Sequence, residues 1–344
     1  MHQYQTAPAW TGVSNDHLRQ WQWQQARWIC AQDDRGLHQP SRYFLARHAF
    51  DCRETGRAAE VHIAADSDFR LYCNGRLVGQ GAPRDTTVRM SYRSYDVSSS
   101  IRTGRNCLAV VVYATRESLA SGRSAFICAL AIHDDTWHGA QHEYTGNHWR
   151  AIPAPQWDPL ADESTAFWQQ TEVFDARAEP ADWTLPDYDD STWPPAQLHD
   201  AEALWPHLDT DYRPHSQLVP AVVEPLRRSL KRPLRVVRVG ESITLDGPRH
   251  GNIGLRMALE PLEDLQRGKF DNTSAICDDG DGVMSVMNPY AHFDRHGYHR
   301  FWDDHPGEVP MVRHNTIVLD FGELMNAHLY LDLEAVGGEQ IDIA

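Results

Sequence analysis

Chemistry in this chain would have to come from its carboxylates and histidines. Of 344 residues, 48 are Asp or Glu and 19 are His. Cleaving a glycosidic bond needs two carboxyl groups about 5–10 Å apart across a sugar cleft, one of them protonated. Two adjacent acidic pairs stand out, Asp189-Asp190 and Asp303-Asp304. So acidic a chain produces such pairs freely, and Asp189-Asp190 reads as the cap of a turn ahead of Trp193. Asp278-Asp279-Gly280-Asp281-Gly282 gathers hard oxygens of the kind calcium takes. It lacks the spacing and terminal Glu of an EF-hand loop and reads as a solvated Gly/Asp turn. His292, His296, His299 and His305 fall close together, and His292/His296 would share a helix face suited to zinc. Pro289, Gly297 and Pro306 argue against that helix, and no HExxH is present. Neither a metal nor any other cofactor is therefore expected.

The same stretch carries Tyr298, Arg300 and Trp302. Aromatic faces stack on sugar rings, and a guanidinium donates in pairs to hydroxyls. These three, with Arg84 and Tyr92 in an expected edge loop, are the candidate carbohydrate contacts. Nucleophilic serine chemistry has no GxSxG elbow behind it. Nucleotide binding has neither GxGxxG with an acidic ribose partner nor GxxxxGK[ST].

The elements that must hold such residues are strands. Val61, Ile63 and Ala65 alternate with His62, Ala64 and Asp66, and Phe69, Leu71 and Cys73 alternate with Arg70, Tyr72 and Asn74. Period two is the mark of a half-buried strand. Asn74-Gly75 then predicts a tight hairpin, since both residues tolerate positive φ. Asp66 and Asn74 are read as fixing turns rather than a ligand. Cys107–Tyr113 is apolar on both faces and predicts a central strand. Phe126–Ile132 predicts another. Residues 150–220 are rich in Trp, Pro and Asp, which predicts an ordered irregular segment anchored by aromatics, with Trp183 and Trp193 in packing roles. Alternation returns at Ile253–Leu259, Ile317–Phe321 and Leu329–Leu333, separated by a polar insertion over 268–312. One short helix is expected near Ser14–Gln25, with Ser14 as N-cap.

Composition narrows the class further. The chain is 41% hydrophobic, 10% aromatic and 23% charged, which excludes a mainly disordered or collagen-like protein. A net charge of −16 repels phosphate backbones and anionic lipid, so neither nucleic acid nor membrane is an expected partner. The first thirty residues hold no apolar core of signal-peptide type. The six cysteines, at 30, 52, 73, 107, 128 and 277, form no CxxC. Cys73, Cys107 and Cys128 sit in apolar strand patterns as small hydrophobes. A reduced cytoplasmic protein is the expectation, and a Cys30–Cys52 disulfide stays open.

Three segments in order resemble a known family. Ala59–Gly81, continued by Tyr92–Val97 and Gly104–Val110, resembles the galactose-binding-like jelly roll in front of many glycoside hydrolases. Glu172-Val-Phe-Asp-Ala-Arg177, with Trp183 and Asp189-Asp-Ser-Thr-Trp193, is similar to a phrase of bacterial α-L-rhamnosidases. Val318-Leu-Asp-Phe-Gly322, then His328–Glu334 and Gly337-Gly338, resembles the end of that family's second β-sandwich. The resemblance covers about residues 40–344 and implies an all-β chain of two jelly-roll sandwiches. Family members place their acidic pair on a later (α/α)₆ barrel. Twelve helices of about eleven residues plus loops need well over two hundred further residues, which do not follow Ala344 in this sequence.

The expectation is thus an all-β protein with a galactose-binding-like sandwich over 1–205, closed by a Trp/Pro-rich segment. A second sandwich spans 206–344, interrupted at 268–312 and truncated at its C-terminus. Alone it would be catalytically silent, with no catalytic residue of its own. It would support a barrel absent from this chain and bind carbohydrate, a rhamnose-containing glycan being the suspected partner. The alternative is a free-standing carbohydrate-binding or adaptor protein.

Overall fold

The computed structural model describes residues 23, 25–32, 42–53, 58–65, 68–81, 89–114, 125–133, 140–157, 174–198, 217–224, 229–245, 263–264, 270–277, 280, 284–286 and 311–323. No α-helix occurs among them, so the chain is all-β as expected. The expected Ser14–Gln25 helix, the strands at Ile253–Leu259 and Leu329–Leu333, and residue Asp66 lie wholly or largely outside the described residues. Two compact units divide after Leu226, later than the expected boundary at 205.

The first unit, Met1–Leu226, is a two-sheet sandwich. Its described strands are β1 (Ile29–Cys30), β2 (Arg42–Cys52), β3 (Ala58–Ala65), β4 (Asp68–Cys73), β5 (Arg76–Gln80) and β6 (Arg89–Asp96). They continue as β7 (Gly104–Ala114), β8 (Phe126–His133), β9 (Ala140–Tyr144), β10 (Arg150–Pro153), β11 (Gln197–Leu198) and β12 (Gln217–Pro220). One sheet runs β11-β1-β8-β3-β6-β12, with β9 also on β8, and the other runs β10-β2-β7-β4-β5. Most neighbours are antiparallel, but β12 joins β6 in parallel, with Val219 opposite Ser91. That pairing is why the unit extends past residue 205.

The alternation seen in the sequence fills the space between the sheets. Val61, Ile63, Leu71, Leu108, Val110, Phe126 and Trp149 are fully buried there. The outward faces are covered too, which explains strands that read as apolar on both sides. Cys107, Ala109 and Val111 of β7 meet Trp183 and Trp193 on one outer face. Ala64 and Ile127 lie under Met90, Tyr92 and Trp23 on the other. β7 is the central strand of its sheet, as its two-faced pattern predicts.

The β4–β5 hairpin turns at Asn74 (φ 51°) and Gly75 (φ 81°), the left-handed pair that a two-residue loop requires. Asn74 reaches beyond its turn. Its Nδ2 donates to the Ser100 carbonyl at 2.7 Å and to Asn106 Oδ1 at 2.8 Å, while its Oδ1 accepts from the Cys107 amide. Fully buried Asn106 donates in turn to the Arg102 and Gly104 carbonyls. Asn74 therefore fixes the hairpin end of the sandwich, as expected. All six cysteines are free thiols. Burial pushes the Cys73 thiol up to about 12 and also raises Cys107 and Cys128, so these three act as apolar filler.

Residues 174–198 run irregularly across the outer face of the β10-β2-β7-β4-β5 sheet. Trp183 and Trp193 are 4% and 5% exposed, which is the packing role expected of them. Arg47 of β2, entirely buried, holds the segment from beneath. Its Nε donates to the Trp183 carbonyl at 2.9 Å, and its two terminal nitrogens donate to the carbonyls of Leu185 and Tyr188, to Asp190 and to the Cys107 sulfur. The guanidinium also sits 5.1 Å from the centre of the Tyr188 ring.

The second unit, Arg227–Ala344, shows β13 (Arg235–Leu245), β14 (Glu263–Asp264), β15 (Phe270–Asp271), β16 (Ser285–Val286) and β17 (Met311–Asp320). A three-stranded antiparallel sheet runs β14-β13-β17, and β15 pairs with β16 inside the expected insertion. β17 contains the expected Ile317–Leu319 alternation. It ends in a turn where Asp320 Oδ1 accepts from Gly322 at 2.8 Å, and that bond with Arg235 lowers the Asp320 carboxyl below its usual range. Gly322 has φ 75°, and a Cβ there would lie 2.3 Å from Leu234 Cδ1. The glycine of the Asp-Phe-Gly phrase is thus a backbone requirement.

Candidate functional site

The five residues expected to touch a sugar are not brought together among the described residues. Arg84, Tyr298, Arg300 and Trp302 lie outside them, as do His292, His296, His299, His305, Asp303, Asp304 and the acidic residues of the 278–282 turn. Gly280 of that turn is described, and a Cβ on it would stand 2.2 Å from the Ala275 carbonyl oxygen. Tyr92 is 3% exposed, with its ring 5.2 Å from Trp23 and 5.6 Å from His62, both edge-on. Its faces are taken up by packing. Asp189 caps the turn as expected, accepting from the Ser191 amide at 3.0 Å, a bond that lowers its carboxyl below the usual range. Asp190 is engaged by Arg47.

The structure assembles instead a polar cluster at one edge of the sandwich, where β2 of one sheet meets β9 of the other. β2 directs Phe44, Ala46, Phe50 and Cys52 into the core. His48 occupies the same phase, and its Nε2 lies 2.9 Å from Glu143 Oε2 on β9. The Gln141 Nε2 donates to Glu143 Oε1 at 2.9 Å and to the Asp51 carbonyl at 2.7 Å, and its Oε1 accepts from the Arg53 amide. His148 stands edge-on to His48 at 4.7 Å. Trp149 stacks under His48 at 5.5 Å and donates its Nε1 to the Tyr144 carbonyl at 2.8 Å.

The electrostatics follow from this crowding. Burial tends to raise the Glu143 carboxyl, but the hydrogen bonds from His48 and Gln141 and the nearby imidazoles outweigh it and hold it low. Burial lowers His148, His48 lowers it further, and the Tyr144 carbonyl and Glu143 only partly oppose them. Burial and His133 likewise lower His142. The arrangement seats the Glu143 carboxylate against the His48 ring, with His148 edge-on beside it. Among the described residues, no group of three or more His, Cys, Asp or Glu is placed to hold a metal ion. No helix of the described residues is long and apolar enough to cross a membrane.

Sequence reasoning missed this cluster, because 95 residues separate His48 from Glu143. One signal was present: a histidine in the inward phase of an otherwise apolar strand, Phe44–Cys52.

A two-sheet β-sandwich leaves function open, and comparison with known proteins narrows it. The model of the alpha-L-rhamnosidase N-terminal domain family matches residues 54–229, and the chain belongs to that family. An alpha-L-rhamnosidase of Streptomyces avermitilis is 33% identical over 149 residues, which is 39% of this chain and 14% of that protein. The crystal structure of a GH78 family rhamnosidase of Bacillus sp. GL1 superposes with a TM-score of 0.52 at 25% identity, covering 63% of this chain and 22% of that one. The alpha-L-rhamnosidase of Aspergillus terreus gives a TM-score of 0.50 at 16% identity, covering 64% and 25%, a likeness of fold. The chain thus spans about a quarter or less of the length of these relatives.

Proposed function

We propose that this chain is a non-catalytic β-sandwich portion of an α-L-rhamnosidase-like protein, supporting a catalytic domain and binding carbohydrate. The family match across 54–229 carries this reading, since it falls on the sandwich itself. The described acidic residues with defined roles serve structure: Asp189 caps a turn, Asp190 meets a buried arginine, and Glu143 pairs with His48. Sugar contact is proposed for Arg84, Tyr298, Arg300 and Trp302. A cytoplasmic location is proposed with it, and the six free thiols suit a reducing compartment.

The test is an assay of purified residues 1–344 against an aryl α-L-rhamnoside, alongside titration with rhamnose-terminated oligosaccharides. No hydrolysis is expected, together with saturable binding that Trp302→Ala weakens about tenfold, the loss of about 1.4 kcal/mol. Turnover by this chain would sink the non-catalytic reading, and absence of saturable binding would sink the carbohydrate one.

A smaller structural prediction concerns β5. A Cβ on Gly79 would lie 2.2 Å from the Tyr95 ring of the opposite sheet. Gly79→Ala is expected to destabilise the sandwich by about 1–3 kcal/mol through overpacking, read as a lower urea midpoint.

A further inference from the structure

We propose that His48, Glu143 and His148 form a proton-operated latch, which ties the strand β9 to β2 of the opposite sheet at neutral pH and releases it in mild acid. The geometry sets the two states. Among the described residues, β9 pairs by backbone bonds with β8 alone, from Ala129 opposite Tyr144 to His133 opposite Ala140. Its ties to the other sheet are side-chain ties: Glu143 to His48, and Gln141 to the Asp51 carbonyl and the Arg53 amide. The side chains of His48 and Glu143 are only 12% and 18% exposed, so the pair is shielded from water. The next turn, Gly146–Trp149, brings His148 against the His48 ring from the open side.

The titratable groups around the pair come from four places in the first unit. From β9 come Glu143 and His142, from β8 His133, from β2 His48, and from the turn His148. A proton added to His148 creates a cation 4.7 Å from a ring already engaged with the carboxylate. With β9 detached, the same proton is hydrated freely. The sign follows from linkage. His148 is held below its ordinary 6.5 when latched, so the latched form loses stability as pH falls below that value. Glu143 is held below its ordinary 4.5, so its contribution goes next, through the carboxylate range. Both losses run in the same direction. None of this rests on the carbohydrate reading.

Hydrogen exchange of the full chain, corrected for intrinsic rates and followed in peptides covering 140–149 and 126–133, tests the latch. Between about pH 7.5 and about pH 5, protection of 140–144 is expected to fall about tenfold, while β3 stays protected. His148→Phe keeps a ring against His48 but cannot take the proton, and most of the acid loss should vanish. His148→Asn is the second variant should the phenylalanine disturb folding. Glu143→Gln should raise exchange of 140–144 already at neutral pH. Equal protection of 140–144 at both pH values, or an undiminished acid loss in both His148 variants, would overturn the proposal.

Discussion

Replacing Arg47 with alanine is expected to destabilise the first unit by about 3–5 kcal/mol, the usual cost of removing one partner from a buried charged network. The guanidinium has five N–H donors, and here all five have acceptors. Three are main-chain carbonyls, of Trp183, Leu185 and Tyr188, and one is the Asp190 carboxylate. Alanine leaves these facing the apolar surface of β7, Cys107 and Ala109 included. Each orphaned acceptor carries a desolvation cost of about 1–3 kcal/mol unless the segment lifts and lets water in. Lifting relieves the acceptors but exposes Trp183 and Trp193, so the loss appears either way. Arg47→Lys should recover little, since one ammonium cannot span acceptors spread from residue 183 to 190. Urea denaturation of both variants, with limited proteolysis over 174–198, measures the effect. A loss below about 1 kcal/mol would show that tryptophan packing alone holds the segment.

The contrast between Arg47 and its neighbours shows which parts of the fold are legible in sequence. Asn74-Gly75, the β3 and β4 alternations and the two-faced β7 are local patterns, each decided within a few residues by sterics and period. The structure places the hairpin, the β4 alternation and the two-faced β7 as read, whereas β3, read as half-buried, is buried on both faces. The packing role of Trp183 and Trp193 was also legible, because tryptophans among prolines seldom stay in water. Their anchor was not, since nothing near residue 47 points to carbonyls some 140 positions away. β13 escaped for a different reason. A bulge between Val236 and Arg238 shifts its phase, so Arg235–Leu245 does not alternate cleanly and Val237 is exposed. The His48–Glu143 cluster lies at the far limit of legibility. Its one trace is a polar residue in an inward phase, and only the meeting of two sheets gives that residue its partner.

Trp149 carries the second large effect. Its side chain is fully buried at this edge of the sandwich. Phe126 of β8 lies edge-on at 5.5 Å, His48 of β2 stacks at 5.5 Å, and the indole N–H reaches the Tyr144 carbonyl at the end of β9. Its backbone carbonyl accepts from Ala196, next to β11, at 2.7 Å. Trp149→Ala is expected to cost about 3–5 kcal/mol, from lost transfer energy and the cavity left behind. Trp149→Phe keeps most of the apolar contact but leaves the Tyr144 carbonyl without its indole donor, for a loss of about 1–3 kcal/mol. The two variants separate packing from hydrogen bonding at one position. Equal denaturation midpoints for both would mean that the indole N–H, and not the ring, holds the edge. The expected ordering makes the ring the floor on which His48 rests, so the alanine variant should also weaken the protection of β9 at neutral pH. The phenylalanine variant should leave more of that protection in place.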